Sequence, residues 1–222
     1  MHPVSEKLNV IKNKVNEIII KKQLKTKPKI IVVSKTFPLE NIIPLLELGH
    51  LHFGENKIQE AEAKWFKMNE KYKNLQLHMI GKLQSNKAKK AVKLFDYIHS
   101  LDNDRLANKI FESQKDLNKV VKLFIQVNLG DEKQKSGITP KDLNSFFNYC
   151  TKDLLLNVIG LMCIPPFDSN SEDYFKLLKA TSDQYNLNEL SMGMSSDYEN
   201  ALSNGSTFLR LGTVIMGKRD II

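Results

Sequence analysis

Lys35 closes a run of β-formers, IIVVSKTFP at residues 30–38, and a cation in that position has two readings. Ile30 to Val33 are β-branched residues with no polar relief, as in a parallel strand covered on both faces. Alternation sets Ile31, Val33 and Lys35 on one side of the strand and Ile30, Val32 and Ser34 on the other. Lys35 is then either a solvated lysine that snorkels past the strand end, or a desolvated amine able to form a Schiff base with an aldehyde. A second set, SMGMSSD at 191–197 and RLGT at 210–213, offers Gly193, Ser195, Ser196, Gly212 and Thr213. Hydroxyls and close-approaching backbone amides of this kind suit a phosphate, and ordinary loops use the same residues. Arg210, inside FLRLGTVI, alternates with Phe208 on a strand-like run, so its charge calls for a buried partner or a ligand.

These residues gain meaning from the elements that must carry them. Val4, Leu8, Ile11, Val15 and Ile18 recur every three or four residues and predict an opening helix over 4–24. From there strand-like and helix-like segments alternate. Strands are expected at 29–35, 51–56, 75–81, 97–101, 120–130, 157–166, 189–194 and 207–217, with helical segments between them. Thr139 followed by Pro140 marks a cap and first helical position. Strict alternation with eight strands predicts an α/β fold, a single (β/α)8 barrel with an additional N-terminal helix that covers the outside beyond the last strand. In such a barrel ligands bind at the carboxyl ends of the strands. Those ends carry Lys35, then Glu55 and Asn56, then GKLQSNK at 81–87, and finally the two Gly/Ser groups.

The composition narrows the class. Of 222 residues, 41% are apolar and 26% charged, which suits a packed globular chain read here as one domain over residues 1–222. No run nears the roughly 18 apolar residues of a membrane span, and the N-terminus lacks a signal peptide's apolar core, so a cytoplasmic protein is expected. Cys150 and Cys163 fit no zinc or redox spacing. The net charge of +8 favours anionic ligands, but the lysines are scattered except for KAKKAVK at 87–93, and nucleic-acid binding is not expected. His50 and His52 lie two apart on a strand and lack a third ligand for a metal; none is expected. His78 and His99 read as satisfied core or rim residues.

Seven ordered motifs go further. VVSKT, HFGENKIQE, HMIGKLQSNK, QVNLGDEKQKSGI, IGLMCIPP, LSMGMSSDYENAL and STFLRLGTVIMGKR together resemble the pyridoxal phosphate homeostasis proteins, single-domain relatives of the alanine racemase N-terminal barrel. The resemblance implies a TIM-like barrel of that type. It implies pyridoxal 5'-phosphate as cofactor, carried as a Schiff base on Lys35. It also implies that Ser195, Gly212 and Thr213 hold the phosphate, that Arg210 faces the pyridine nitrogen, and that Asn56 lines the ring. Function is then the buffering and delivery of the cofactor within the cell, with apo pyridoxal-phosphate enzymes as recipients and no membrane partner; a monomer is expected. An arginine at the ring nitrogen weakens carbanion stabilisation, and the racemases resembled add a tyrosine from a second domain that this sequence lacks, so no catalytic residue is assigned. A pyridoxal-dependent amino-acid racemase or related minimal enzyme is the alternative, and a phosphate-binding barrel without the covalent link a third.

Overall fold

The computed structural model describes residues 2–130, 136–166 and 169–218. Eight parallel strands close into a barrel in chain order: β1 (Lys29–Val33), β2 (His52–Glu55), β3 (Gln76–Met79), β4 (Tyr97–Leu101), β5 (Lys122–Gln126), β6 (Val158–Met162), β7 (Glu189–Ser191) and β8 (Phe208–Leu211). Closure is made by β1 against β8, where Lys29 pairs with Phe208 and Ile31 with Arg210. The helices α1 (Pro3–Lys21), α2 (Leu39–Glu47), α3 (Ile58–Lys71), α4 (Ala88–Leu94), α5 (Asp104–Leu117), α6 (Leu143–Asn148), α7 (Ser171–Gln184), α8 (Tyr198–Ser203) and α9 (Thr213–Met216) follow the alternation expected of βα units.

Period-two alternation divides the barrel as the sequence suggests. Ile30 and Val32 pack outward into the layer between strands and helices, whereas Ile31 packs inward with Tyr97, Phe124, Met162 and Phe208. Two segments depart from the sequence reading. Thr139 does not open a helix: its hydroxyl and the Asp142 carboxylate close a local turn, and α6 starts at Leu143. The last strand stops at Leu211 rather than running to 217. Gly212 turns the chain (φ −106°, ψ −86°), and its carbonyl accepts the amides of Ile215 and Met216, making the short helix α9. β-branched Val214 and Ile215 look strand-like in sequence, but Ile215 is buried in the outer layer instead.

α1 takes the place of a full-length closing helix. It buries Val4, Leu8, Ile11 and Val15 and packs against α2, α8 and α9. The opening helix therefore supports the two short helices that follow β7 and β8, next to the Gly/Ser groups at 191–197 and 210–213.

Candidate functional site

The carboxyl ends of the strands enclose a cavity of about 490 Å³, within the range of small-molecule sites. Val33 and Lys35 form one side and Asn56 and Ile80 the next. Ser195 and Ser196 come from the loop after β7, and Arg210 with Gly212 and Thr213 from β8 and the turn beyond it. All six residues singled out in the sequence, Lys35, Asn56, Ser195, Arg210, Gly212 and Thr213, line this one cavity. Phe37, Ile164 and Met194 add apolar wall that sequence motifs gave no reason to single out.

β1 ends at Val33, so half-buried Lys35 sits in a turn rather than on the strand itself. Thr36 adopts a left-handed conformation (φ +69°), which is unfavourable for a β-branched residue and persists only where its surroundings hold it. The holding groups come from β2 and α3. The Ser34 hydroxyl donates to Glu55 Oε1 (2.8 Å), and Lys64 Nζ donates to the Ser34 carbonyl (2.8 Å), Glu55 Oε1 (2.9 Å) and Glu60 Oε1 (3.1 Å). Trp65 Nε1 donates to the same Glu55 oxygen (3.0 Å), and the Thr36 amide to Glu60. Glu55 is fully buried on the outer face of β2, so it does not join Asn56 at the mouth as its position at a strand end suggested. Its place was legible from alternation: inward His52 and Gly54 leave Phe53 and Glu55 facing out. Glu55 and Lys64 form a buried pair that braces the turn bearing Lys35 from behind.

Arg210 is 4% exposed and forms part of the cavity floor. The ion-pair partner that burial called for is not what it finds. Nη1 donates to Ser191 Oγ (2.7 Å) and Nη2 to the Cys163 carbonyl (2.9 Å), both neutral acceptors. Burial lowers its pKa, while Cys163 and Asp197 act through space in the opposite sense. At the other end of the cavity, Ser195 Oγ accepts the amides of Gly212 (3.2 Å) and Val214 (3.4 Å), which gathers donors around one hydroxyl. Gly193 (φ +90°) lets its loop press on α8, since a Cβ there would come within 2.5 Å of the Ala201 side chain. A Cβ on Gly212 would meet nothing closer than Val33 at 3.6 Å, so protein packing does not demand glycine at this point of the cavity wall. Asp197 precedes α8 and takes the Met194 amide on its carboxylate (2.6 Å).

The histidine pair does not converge. His50 Nε2 bonds the His52 carbonyl, while the His52 ring turns into the barrel toward His78. Cys163 is buried, and burial pushes its thiol up to about 12, which leaves it unreactive at neutral pH. Of the matched motifs, residues 131–135 and Arg219 lie outside the described residues.

This closed parallel barrel, with its polar groups gathered at the strand ends and a helix before the first strand, has the architecture of the alanine racemase N-terminal class. The family model for the alanine racemase N-terminal domain matches residues 8–220. Within that class, the pyridoxal phosphate homeostasis protein of Aquifex aeolicus is 40% identical over 200 residues, covering 86% of this chain and 87% of the relative. That of Haemophilus influenzae is 33% identical over 229 residues, covering 98% and 96%. The chain belongs to the pyridoxal phosphate homeostasis protein family. Among solved structures, PipY of Synechococcus elongatus PCC7942 with pyridoxal phosphate bound superimposes with a TM-score of 0.80 at 34% identity, covering 91% of this chain and all of PipY. An alanine racemase of Clostridium difficile shares the fold alone, with a TM-score of 0.71 at 13% identity over 97% of this chain and 56% of the racemase.

Proposed function

We propose that this chain, acting as a single barrel unit over residues 1–222, binds pyridoxal 5'-phosphate as a Schiff base on Lys35 and buffers and delivers it to apo pyridoxal-phosphate enzymes. The observation that carries this reading is the meeting of an amine, a buried guanidinium and a hydroxyl–amide cluster around one cavity, brought there from three separate parts of the chain. The residues present fit the cofactor, and the bound cofactor in PipY supports the assignment. The proposal extends to a cytoplasmic monomer; among the described residues no helix is long and apolar enough to cross a membrane.

When bound, the cofactor supplies an aldehyde carbon and an electron-withdrawing pyridine ring. Lys35 would hold the cofactor through its amine, and the braced turn keeps that amine at one position. Ser195 and Thr213 give hydroxyls, and Gly212 a backbone amide, to the phosphate. Arg210 would face the ring nitrogen as a donor, which disfavours its protonation, and Asn56 would line the ring. Among the described residues of the cavity wall, Lys35 is the one amine, and no carboxylate, imidazole, thiol or phenol lines the cavity. A carrier needs no second acid–base group, whereas racemisation needs one on each face of the substrate carbon.

Phosphate contacts should dominate retention. Charge-assisted hydrogen bonds contribute about 1.5–3 kcal/mol each, so pyridoxal without its phosphate is expected to bind at least about tenfold more weakly in a spectroscopic titration. Thr213→Val should weaken the phosphate ester and leave pyridoxal nearly unaffected. Equal affinities for the two ligands would remove the phosphate site.

The carrier reading is tested by deuterium exchange at Cα of alanine in D₂O, together with cofactor transfer to an apoenzyme. Absence of a positioned acid–base group costs about 10²–10⁴-fold in rate, so slow or no exchange is expected, with measurable transfer. Exchange at several turnovers per second would make the protein an enzyme instead.

A further inference from the structure

The barrel interior carries a line of polar side chains where bulky apolar residues usually fill the layers. Arg210 Nη1 lies 2.7 Å from Ser191 Oγ, and that oxygen 2.8 Å from His99 Nδ1. His99 Nε2 lies 3.0 Å from His78 Nδ1, and His78 Nε2 3.0 Å from His52 Nδ1. His78 and His99 are fully buried, stacked on Tyr97 and Phe124 at centroid distances of 4.3 and 4.4 Å and capped edge-on by Phe208. His52, at the start of β2, reaches the opposite mouth of the barrel, near Lys29 and Lys122.

Hydrogen counting gives this line a direction. A guanidinium only donates, so Ser191 Oγ must accept from Arg210. The single hydroxyl hydrogen of Ser191 then goes to His99 Nδ1, the other group bonded to that oxygen. His99 therefore carries its hydrogen on Nε2 and donates to His78 Nδ1; His78 in turn donates from Nε2 to His52 Nδ1. The reverse order would leave the buried Ser191 hydroxyl hydrogen without an acceptor, and an imidazolium within the chain would set two N–H groups face to face. Burial holds both inner imidazoles neutral, which agrees with this order.

We propose that Arg210, Ser191, His99, His78 and His52 form a one-directional hydrogen-bond chain through the barrel, which anchors the guanidinium at the cavity floor and couples the upper site to the lower mouth. Ser191 and the histidines are positioning residues, acting through Arg210. The chain itself needs no cofactor; its link to a ligand rests on the pyridoxal phosphate reading.

Histidine ¹⁵N NMR of the cofactor-free protein at neutral pH tests it, with His52→Gln to assign the lower ring. Hydrogens on Nε2 of His52, His78 and His99 are expected. A hydrogen on Nδ1 of His78 or His99, or an imidazolium, would overturn the proposal. Arg210→Met removes the obligatory donor, so a mixture of Nδ1–H and Nε2–H forms should appear as far away as His52; unchanged signals in a folded variant would overturn the coupling. Added pyridoxal phosphate should shift the His52 signals in the wild-type protein, and bound cofactor with no shift counts against the coupling. Failure of the cofactor to bind would sink the functional reading alone, leaving the cofactor-free spectra to decide on the chain.

Discussion

Lys35→Ala is expected to abolish the borohydride-stable attachment of pyridoxal phosphate while leaving the barrel folded. Hydride reduction turns the C=N bond of a Schiff base into a C–N bond that survives digestion, so peptide mass mapping locates the lysine. The wild-type adduct should fall on the peptide containing Lys35, despite a sequence with 33 lysines and arginines, many at the surface. The expected selectivity comes from the site: a half-buried amine on a turn braced by Glu55, Glu60 and Lys64, beside a cavity whose far end gathers the proposed phosphate donors. The substitution removes little packing, so stability should change by no more than about 1 kcal/mol. An adduct confined to other lysines, or an unchanged visible band in the variant, would refute the assignment.

The second large effect is on stability against acid. His50, His78 and His99 are buried and held neutral, with pKa values below the ordinary 6.5; that of His50 falls to about 3, through desolvation first and the nearby Lys12 charge second. In the unfolded chain each takes up a proton near 6.5. Stability from these groups is thus complete above that value and is lost as pH falls toward the folded-state values. Each proton taken up only on unfolding gives stability a slope of up to about 1.4 kcal/mol per pH unit, so stability should fall progressively once pH drops below about 6.5. Against a typical total of about 5–15 kcal/mol, such a loss predicts a urea midpoint that falls steadily as pH drops below about 6. Trp65, the single tryptophan and fully buried, reports it by fluorescence. A urea midpoint that stays constant from neutrality to pH 5 would contradict neutral burial of these rings.

Much of this was legible in the sequence because it depended on local pattern. The apolar run before Lys35, the alternation of Ile31 with Val32, and the βα order all follow from short-range periodicity and locate the strand ends that collect Asn56, Ser195 and Thr213. The reading failed where one segment is governed by another. Strand-like GTVI became a helix because a strand beyond Leu211 has no barrel left to pair with, while α1 offers Ile215 and Met216 a surface. The histidine chain stayed hidden for a related reason. Alternation places His52, His78 and His99 on inward faces, but only the stagger of neighbouring strands brings the three rings into line. The neutral partners of Arg210 are likewise set by β6 and β7, tens of residues away.

The pairing of β1 with β8 has a bearing on how the protein is made. Synthesis delivers the Lys35 turn early, and domains acquire structure from the N-terminal side as the chain emerges. Arg210, Gly212 and Thr213 arrive more than 170 residues later, on the strand that closes the barrel and the turn that follows it. Until then the Lys35 amine has neither the Arg210 floor nor the proposed phosphate donors beside it. On the proposed function, selectivity for the cofactor is therefore acquired at the final stage of folding, and a nascent chain on the ribosome exposes Lys35 as an ordinary lysine.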